Sequence, residues 1–341
     1  MKTRAPFEIG GERVAPGEAR TLDIPLSRLA DHTRMRLRLR VVHGTKDGPV
    51  LFVSAAIHGD EVLGCEVIRR LIETKALGRP RGTIIYVPVV NAYGFVANSR
   101  YLPDRRDLNR SFPGHPEGSL ASRLADTFMR EVVARSDVGI DLHTGAIHRS
   151  NLPQIRANLS DARTRTLAEA FGAPVTLNAN LRDGSLREAA GSRGVPVLLY
   201  EAGEALRYDQ ASVRIGVRGV SRVMEQLGMV PRRKHAARPA LTVGRSSWLR
   251  CPSGGLLRLT KALGEPVAKG ERVGIVSDPF GEHTDEIRAD FDGIVIGRLN
   301  MPVVNRGDAA LHVARLPGDV DETVEAVRSA YEDDALLDHV I

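Results

Sequence analysis

The segment VSAAIHGDEVLG sets His58 and Glu61 three residues apart, directly after a short apolar run. An imidazole nitrogen and a carboxylate oxygen at that spacing can converge on one cation, because positions i and i+3 share a face where a helix begins. A further donor, His143, stands in VGIDLHTG, again just past an apolar run. Two histidines and a glutamate leave one coordination position for water, as in catalytic zinc sites. Zinc in such a site makes its water acidic enough to ionise near neutral pH. Asp141, two residues before His143, could orient an imidazole from behind or cap a turn.

Two more segments carry chemistry. NAYGFVANSRYLPDRRDLNRSFPG gathers Asn91, Arg100, Arg105, Arg106, Asn109 and Arg110 in a polar loop rich in proline and glycine. Long loops between buried strands are often functional. A guanidinium grips a carboxylate through two parallel hydrogen bonds, and Asn109 beside Arg110 adds a donor. In LLYEAGE, Glu201 follows the apolar VPVLLY. A carboxylate there that is not bound to metal suits a general base, with Glu204 as its competitor.

These groups need strand ends to hold them, and the pattern supplies strands. VLFVSAAI (50–57), TIIYVPVV (83–90), residues 138–142 and VPVLLY (195–200) are apolar runs of buried-strand length, and 35–43 reads as a further strand. Helical periodicity covers 61–76, 120–134, 161–171 and 213–227. The alternation predicts an α/β domain over residues 1–235 with a largely parallel sheet and helices on both faces. In open α/β sheets ligands bind beyond the carboxyl ends of strands, which sends His58, Glu61, His143 and Glu201 to one edge. After Pro231 the segment RRKHAARPA reads as a linker. Short strands and glycine-rich turns then predict a small all-β module over 236–317. The acidic tail, 318–341, suits one amphipathic helix presenting Val324, Val327 and Tyr331.

The composition excludes several roles. Of 341 residues, 42% are hydrophobic and 26% charged, an ordinary globular balance. The net charge of +6 comes with only 4% aromatic residues, and no basic stripe alternates with aromatics, so nucleic acid is not the expected partner. A mild positive balance suits a small anionic substrate. No apolar leader or stretch of membrane-spanning length is present. Cys65 and Cys251 form neither a disulfide framework nor a sulfur metal site, which fits a reducing cytoplasm.

HGDE, DLNRSFPG, DLHTG and LLYEAGE, in that order, resemble the succinylglutamate desuccinylase/aspartoacylase family, within the zinc-carboxypeptidase-like fold. The resemblance spans residues 35–230. It implies one zinc per chain held by His58, Glu61 and His143, with Glu201 as the catalytic glutamate. It further implies Asn109 and Arg110 as the pair that binds a substrate carboxylate. Arg100, within SRY, is similar to the carbonyl-polarising arginine, with Arg105 and Arg106 as alternatives. The implied activity is hydrolysis of the amide bond of an N-acyl amino acid. A metallocarboxypeptidase acting on peptides and a non-catalytic binding or scaffold protein are the competing readings. Residues 254–315 resemble a biotinyl/lipoyl-type barrel-sandwich. A carrier domain needs a lysine at the hairpin tip near Gly281–Asp285, and no lysine follows Lys269. The module is therefore expected to be structural or to mediate homo-oligomerisation, bordering the active site, with His283 at its tip as a minor candidate.

Overall fold

The computed structural model describes residues 4–74, 77–179, 182–234 and 240–316, together with residues 322, 324, 325, 327–329 and 331. In chain order the elements are β1 (Phe7–Ile9), β2 (Glu12–Val14), β3 (Ala19–Arg28), β4 (Arg34–His43), β5 (Lys46–Ala55), α1 (Leu63–Glu73), β6 (Arg81–Val87), α2 (Ala92–Val96) and α3 (Leu120–Glu131). There follow β7 (Val138–Gly145), β8 (Arg149–Ala157), α4 (Ala162–Phe171), β9 (Val175–Asn178), α5 (Leu186–Gly191), β10 (Val197–Glu204) and α6 (Gln210–Gln226). The remaining strands are β11 (Leu241–Val243), β12 (Ser246–Arg250), β13 (Gly255–Leu259), β14 (Pro266–Val267), β15 (Arg272–Ser277), β16 (Thr284–Arg288), β17 (Gly293–Leu299), β18 (Val303–Val304) and β19 (Ala309–Arg315).

The centre of the molecule is a parallel block in which β5 lies between β6 and β7, and β7 between β5 and β10. Successive side chains of a strand point to opposite faces. Leu51, Val53 and Ala55 of β5, Val138, Ile140 and Leu142 of β7, and Leu198 and Tyr200 of β10 pack on one face with α1, α4 and α6. Phe52 and Val197 point the other way, into the cluster of α3 and α5. Because both faces are covered, these strands are continuous apolar runs, which is why they were legible. The sheet is mixed: β4 and β3 extend it antiparallel on one side, and β8 lies antiparallel to β10 on the other.

Beyond β8 the sheet runs on into the C-terminal module. β17 pairs with β8 and carries β19 and β12, while β11 pairs parallel with β9. A separate four-stranded sheet, ordered β16-β15-β13-β18, closes the module. Most of the expected linker, residues 235–239, lies outside the described residues. The described tail residues are helical; Val324 and Val327 are buried beside Leu152, Ile294 and Ile296, and the Tyr331 hydroxyl donates to Asp209 at 3.0 Å. The rest of the tail lies outside the described residues. No helix among the described residues is long and apolar enough to cross a membrane.

Two boundaries near the site differ from the pattern. Helix α1 starts at Leu63, after Glu61, and its expected last residues, 75–76, are outside the described set. Its close approach to the sheet depends on Gly64, where a Cβ would meet the Cβ atoms of Ala55 and Leu142 at 2.7 Å. Strands β7 and β10 also run past the ends of their apolar runs, so His143 and Glu201 lie within strands.

Candidate metal centre and active site

His58 and Glu61 converge through a tight turn, because α1 has not yet begun. The Glu61 N–H donates to the His58 carbonyl at 3.1 Å, and the Leu206 N–H, just past β10, donates to the Asp60 carbonyl at 2.8 Å. The second bond ties the turn to the end of β10, two strands away. Gly59 is required in this turn: a Cβ there would lie 2.0 Å from the Gly94 carbonyl carbon and 2.2 Å from the Phe95 nitrogen. Gly59→Ala is therefore expected to cost about 3 kcal/mol, the upper range for overpacking, since backbone must move. Urea unfolding of the variant measures this, and an unchanged midpoint contradicts it.

The two imidazoles face one carboxylate. His58 Nδ1 lies 2.7 Å from Glu61 Oε1, and His143 Nδ1 lies 2.7 Å from Glu61 Oε2. Their Nε2 atoms point outward to other carboxylates, Asp107 at 3.1 Å and Asp141 at 2.7 Å. Asp141 is itself fixed by the Ser54 hydroxyl at 2.8 Å. Carboxylates behind both rings hold the proton on Nε2 and turn each Nδ1 lone pair inward, as ligating histidines require. Ligand atoms of His58, Glu61 and His143 lie within 4.8 Å of one another, and all three residues are buried. Three carboxylates around two imidazoles form a donor set that calls for a cation, and its nitrogen and oxygen atoms suit zinc.

Charge in the metal-free site follows the same geometry. Burial opposes the charged form of His58, but Glu61 and Asp107 outweigh it and raise the pKa. His143 is raised well above its ordinary value against the same burial, by Asp141 and Glu61. Burial likewise opposes an ionised Glu61, yet the two imidazoles hold it well below the usual carboxylate range. A raised folded pKa gives stability that is complete below the unfolded value of about 6.5 and is lost as pH rises through the folded value. The metal-free protein is therefore expected to melt lower at pH 9 than at pH 6.5. Zinc, which binds neutral imidazole, should narrow or reverse that order. Melts with chelator and with zinc at both pH values decide it; a metal-free melting temperature that climbs across this window contradicts the assignment.

The other expected residues sort themselves around a cavity of about 950 Å³. Arg100 lines it, donating to Glu61 at 3.1 Å and Asp107 at 2.9 Å. Arg105 and Arg106 are exposed and do not line it. Asn109 and Arg110 do. Asn109 accepts the Leu186 N–H through Oδ1 at 3.0 Å, which leaves its amide nitrogen as the donor end. Glu201 is register-paired with His143 across the parallel β10 and β7 ladder, and its Oε2 accepts from Asn151 Nδ2 at 2.8 Å. Glu204 is tied up in structure, accepting from the His148 N–H at 3.0 Å and Asn300 Nδ2 at 2.8 Å. His283 sits in an exposed turn away from the cavity.

Sequence reasoning missed several groups here. Asp107, inside the DLNR motif, backs His58 and anchors Arg100. Arg156 of β8, Trp248 of β12 and His312 of β19 line the cavity, two of them from the C-terminal module. Trp248, the chain's single tryptophan, stacks on His312 with ring centroids 4.7 Å apart, and the Arg149 guanidinium lies 5.4 Å from the Trp248 centroid. Tryptophan singularity was the one available signal; nothing local marks His312 or Arg156.

A parallel strand block that delivers two imidazoles, a shared carboxylate and a separate glutamate to one cavity is the zinc-carboxypeptidase-like α/β fold. The chain belongs to the succinylglutamate desuccinylase/aspartoacylase family, whose catalytic-domain sequence model matches residues 47–227. It is 31% identical over 284 residues to the N-alpha-acetyl-L-2,4-diaminobutyric acid deacetylase of Halomonas elongata, covering 79% of this chain and 83% of that one. Among solved structures it is similar to the product-bound ectoine utilization protein EutE of Ruegeria pomeroyi, with a TM-score of 0.80 and 26% identity over 87% of this chain and 95% of that one. A succinylglutamate desuccinylase/aspartoacylase from Rhodobacter sphaeroides matches with a TM-score of 0.80 and 26% identity over 88% and 96% of the two chains. The family is one of deacylases, hydrolases that act on amides.

Proposed function

We propose that this chain is a zinc-dependent hydrolase that cleaves the amide bond of a small N-acyl amino acid in the cytoplasm. The observation that carries the reading is the pairing of Glu201 with His143: a carboxylate outside the ligand set stands beside the metal centre on the adjacent strand. Zinc held by His58, Glu61 and His143 would supply Lewis acidity and an acidified water. Glu201 would accept a proton from the water that adds to the amide carbonyl and return it to the departing amine as the C–N bond breaks. Arg100, fixed between Glu61 and Asp107, offers its guanidinium to the charge that develops on the carbonyl oxygen. Asn109 and Arg110 hold the amino acid by its carboxylate, lowering the entropic cost of the reactive geometry. The name of the Halomonas relative, an N-acetyl amino acid deacetylase, supports an N-acyl amino acid over a peptide. Unpaired Cys65 and Cys251 agree with a reducing compartment.

The test is a substrate panel on zinc-loaded protein. N-acetyl and N-succinyl amino acids should be hydrolysed, with release of free amine. Preferential release of C-terminal residues from longer peptides would replace this reading with the carboxypeptidase one. Absence of turnover on every amide would favour a binding protein.

A further inference from the structure

The C-terminal tail meets the scaffold of the active site at a polar point. Tyr331 is half-buried, and its hydroxyl donates to Asp209 Oδ2 at 3.0 Å. Burial, and then the Asp209 charge, raise the phenol above its ordinary range, so it stays a donor. Asp209 is the N-cap of α6, where its carboxylate also accepts from the Ser212 N–H at 3.2 Å and the Ser212 hydroxyl at 2.8 Å. The Ser212 carbonyl in turn accepts from the Tyr200 hydroxyl at 2.8 Å. Tyr200 is fully buried and directly precedes Glu201 on β10, with its side chain on the opposite face.

Residues 205–208 join β10 to Asp209, and they brace the metal turn. The Ala205 N–H donates to the Gly145 carbonyl, at the end of β7, at 3.0 Å. The Leu206 N–H donates to the Asp60 carbonyl, between His58 and Glu61, at 2.8 Å. Leu206 makes that bond at a φ of 58°, a left-handed conformation that costs energy in a non-glycine residue and persists only where its surroundings hold it. Its side chain is 43% exposed, so packing alone does not supply that hold. The ends of the segment do, and one end is Asp209. On the far side of Tyr331, Val324 and Val327 are buried with Leu152 of β8 and with Ile294 and Ile296 of β17, at the seam with the C-terminal module.

We infer that Tyr331, acting through Asp209, is a positioning residue of the active site: it fixes the segment that braces the metal turn and the strand end that carries Glu201. Without the phenol, Asp209 keeps only its contacts within α6, and the strained Leu206 segment loses a fixed end. The turn of His58 and Glu61 and the reach of Glu201 then loosen together. Small misplacements of reacting groups are costly in turnover. The kinetic part of the inference rests on the deacylase reading; the part that concerns zinc affinity does not.

The experiment measures zinc affinity of the metal-free chain by competition with a chelating dye. It also measures kcat and KM of the zinc-loaded protein on the amide of the substrate panel that it turns over best. Tyr331→Phe should lower kcat about fivefold with KM within about twofold, and weaken zinc binding about threefold, inside the roughly tenfold that a hydrogen bond to a charged group is worth. Asp209→Ala should lose at least as much. Adding Tyr331→Phe to Asp209→Ala should cost nothing more, the non-additivity expected of a contacting pair. Ile294→Val trims the same buried cluster without touching the Asp209 contact, and should lower stability while leaving zinc affinity and kcat unchanged. Wild-type zinc affinity and kcat in Tyr331→Phe overturn the assignment. So do losses matched by Ile294→Val, or losses that add to those of Asp209→Ala. If no amide is hydrolysed, the deacylase reading falls and the zinc affinities alone decide the role of Tyr331.

Discussion

Glu201→Gln is expected to keep its zinc and to lower kcat by about 10²- to 10⁴-fold, the usual contribution of a positioned general base. The expectation rests on where this carboxylate stands. It is register-paired with His143, yet its Oε2 accepts a hydrogen bond from Asn151, outside the ligand cluster. Its removal should therefore spare the metal and take away the proton acceptor. Glutamine preserves shape and can still accept from Asn151, so packing loss cannot account for the fall. Glu204→Gln is the matched control. Glu204 accepts from the His148 N–H, from Asn300 and, at 3.4 Å, from the Ser150 hydroxyl, so its substitution should loosen the seam with the C-terminal module and leave turnover largely intact. Steady-state kinetics with metal analysis on both variants decides the matter. Undiminished kcat in Glu201→Gln would transfer the base role to another group.

The candidate metal ligands stand out in the sequence because they lie at or just past the ends of apolar runs, and β5, β7 and β10 are apolar because both of their faces are covered. Other parts of the site had no such local signature. Strand β8, RSNLPQIRA, carries Pro153 and two arginines and does not read as a strand from its composition; its place is set by pairing with β10 and β17. That pairing brings Asn151 to Glu201 and Arg156 into the cavity. Strand β3 alternates, with Leu22 and Ile24 buried, but Pro25 interrupts the pattern. The pair His58 and Glu61 was expected to converge on a helix face and converges through a turn instead. The donors meet either way, because three residues of either geometry bring both side chains to one side. The family resemblance already favoured Arg100 over Arg105 and Arg106, and Glu201 over Glu204; what the sequence could not show is which of these side chains line the cavity and which are engaged elsewhere. Only the folded contacts supply that.

His143→Ala is expected to bring zinc from about one per chain to near none after dialysis against a mild chelator, and activity with it. His143 meets Glu61 through one nitrogen and Asp141 through the other, so alanine removes a ligand and the link between two buried carboxylates at once. The fold should survive. Asp141 keeps the Ser54 hydroxyl, and Glu61 keeps the Thr144 N–H at 3.1 Å, Arg100 and His58. Asp141→Asn provides the graded comparison, because it leaves all three ligands and weakens only the hold on the ring, a loss of about 10- to 100-fold in metal affinity. Thermal melts give the readout. Zinc at a thousand times its dissociation constant stabilises the native state by about 4 kcal/mol. Wild type should therefore melt higher with zinc, Asp141→Asn should need more zinc for the same shift, and His143→Ala should not respond. A His143→Ala protein that still holds one zinc per chain would place the metal elsewhere, and the roles assigned to Glu201 and Arg100 would fall with it.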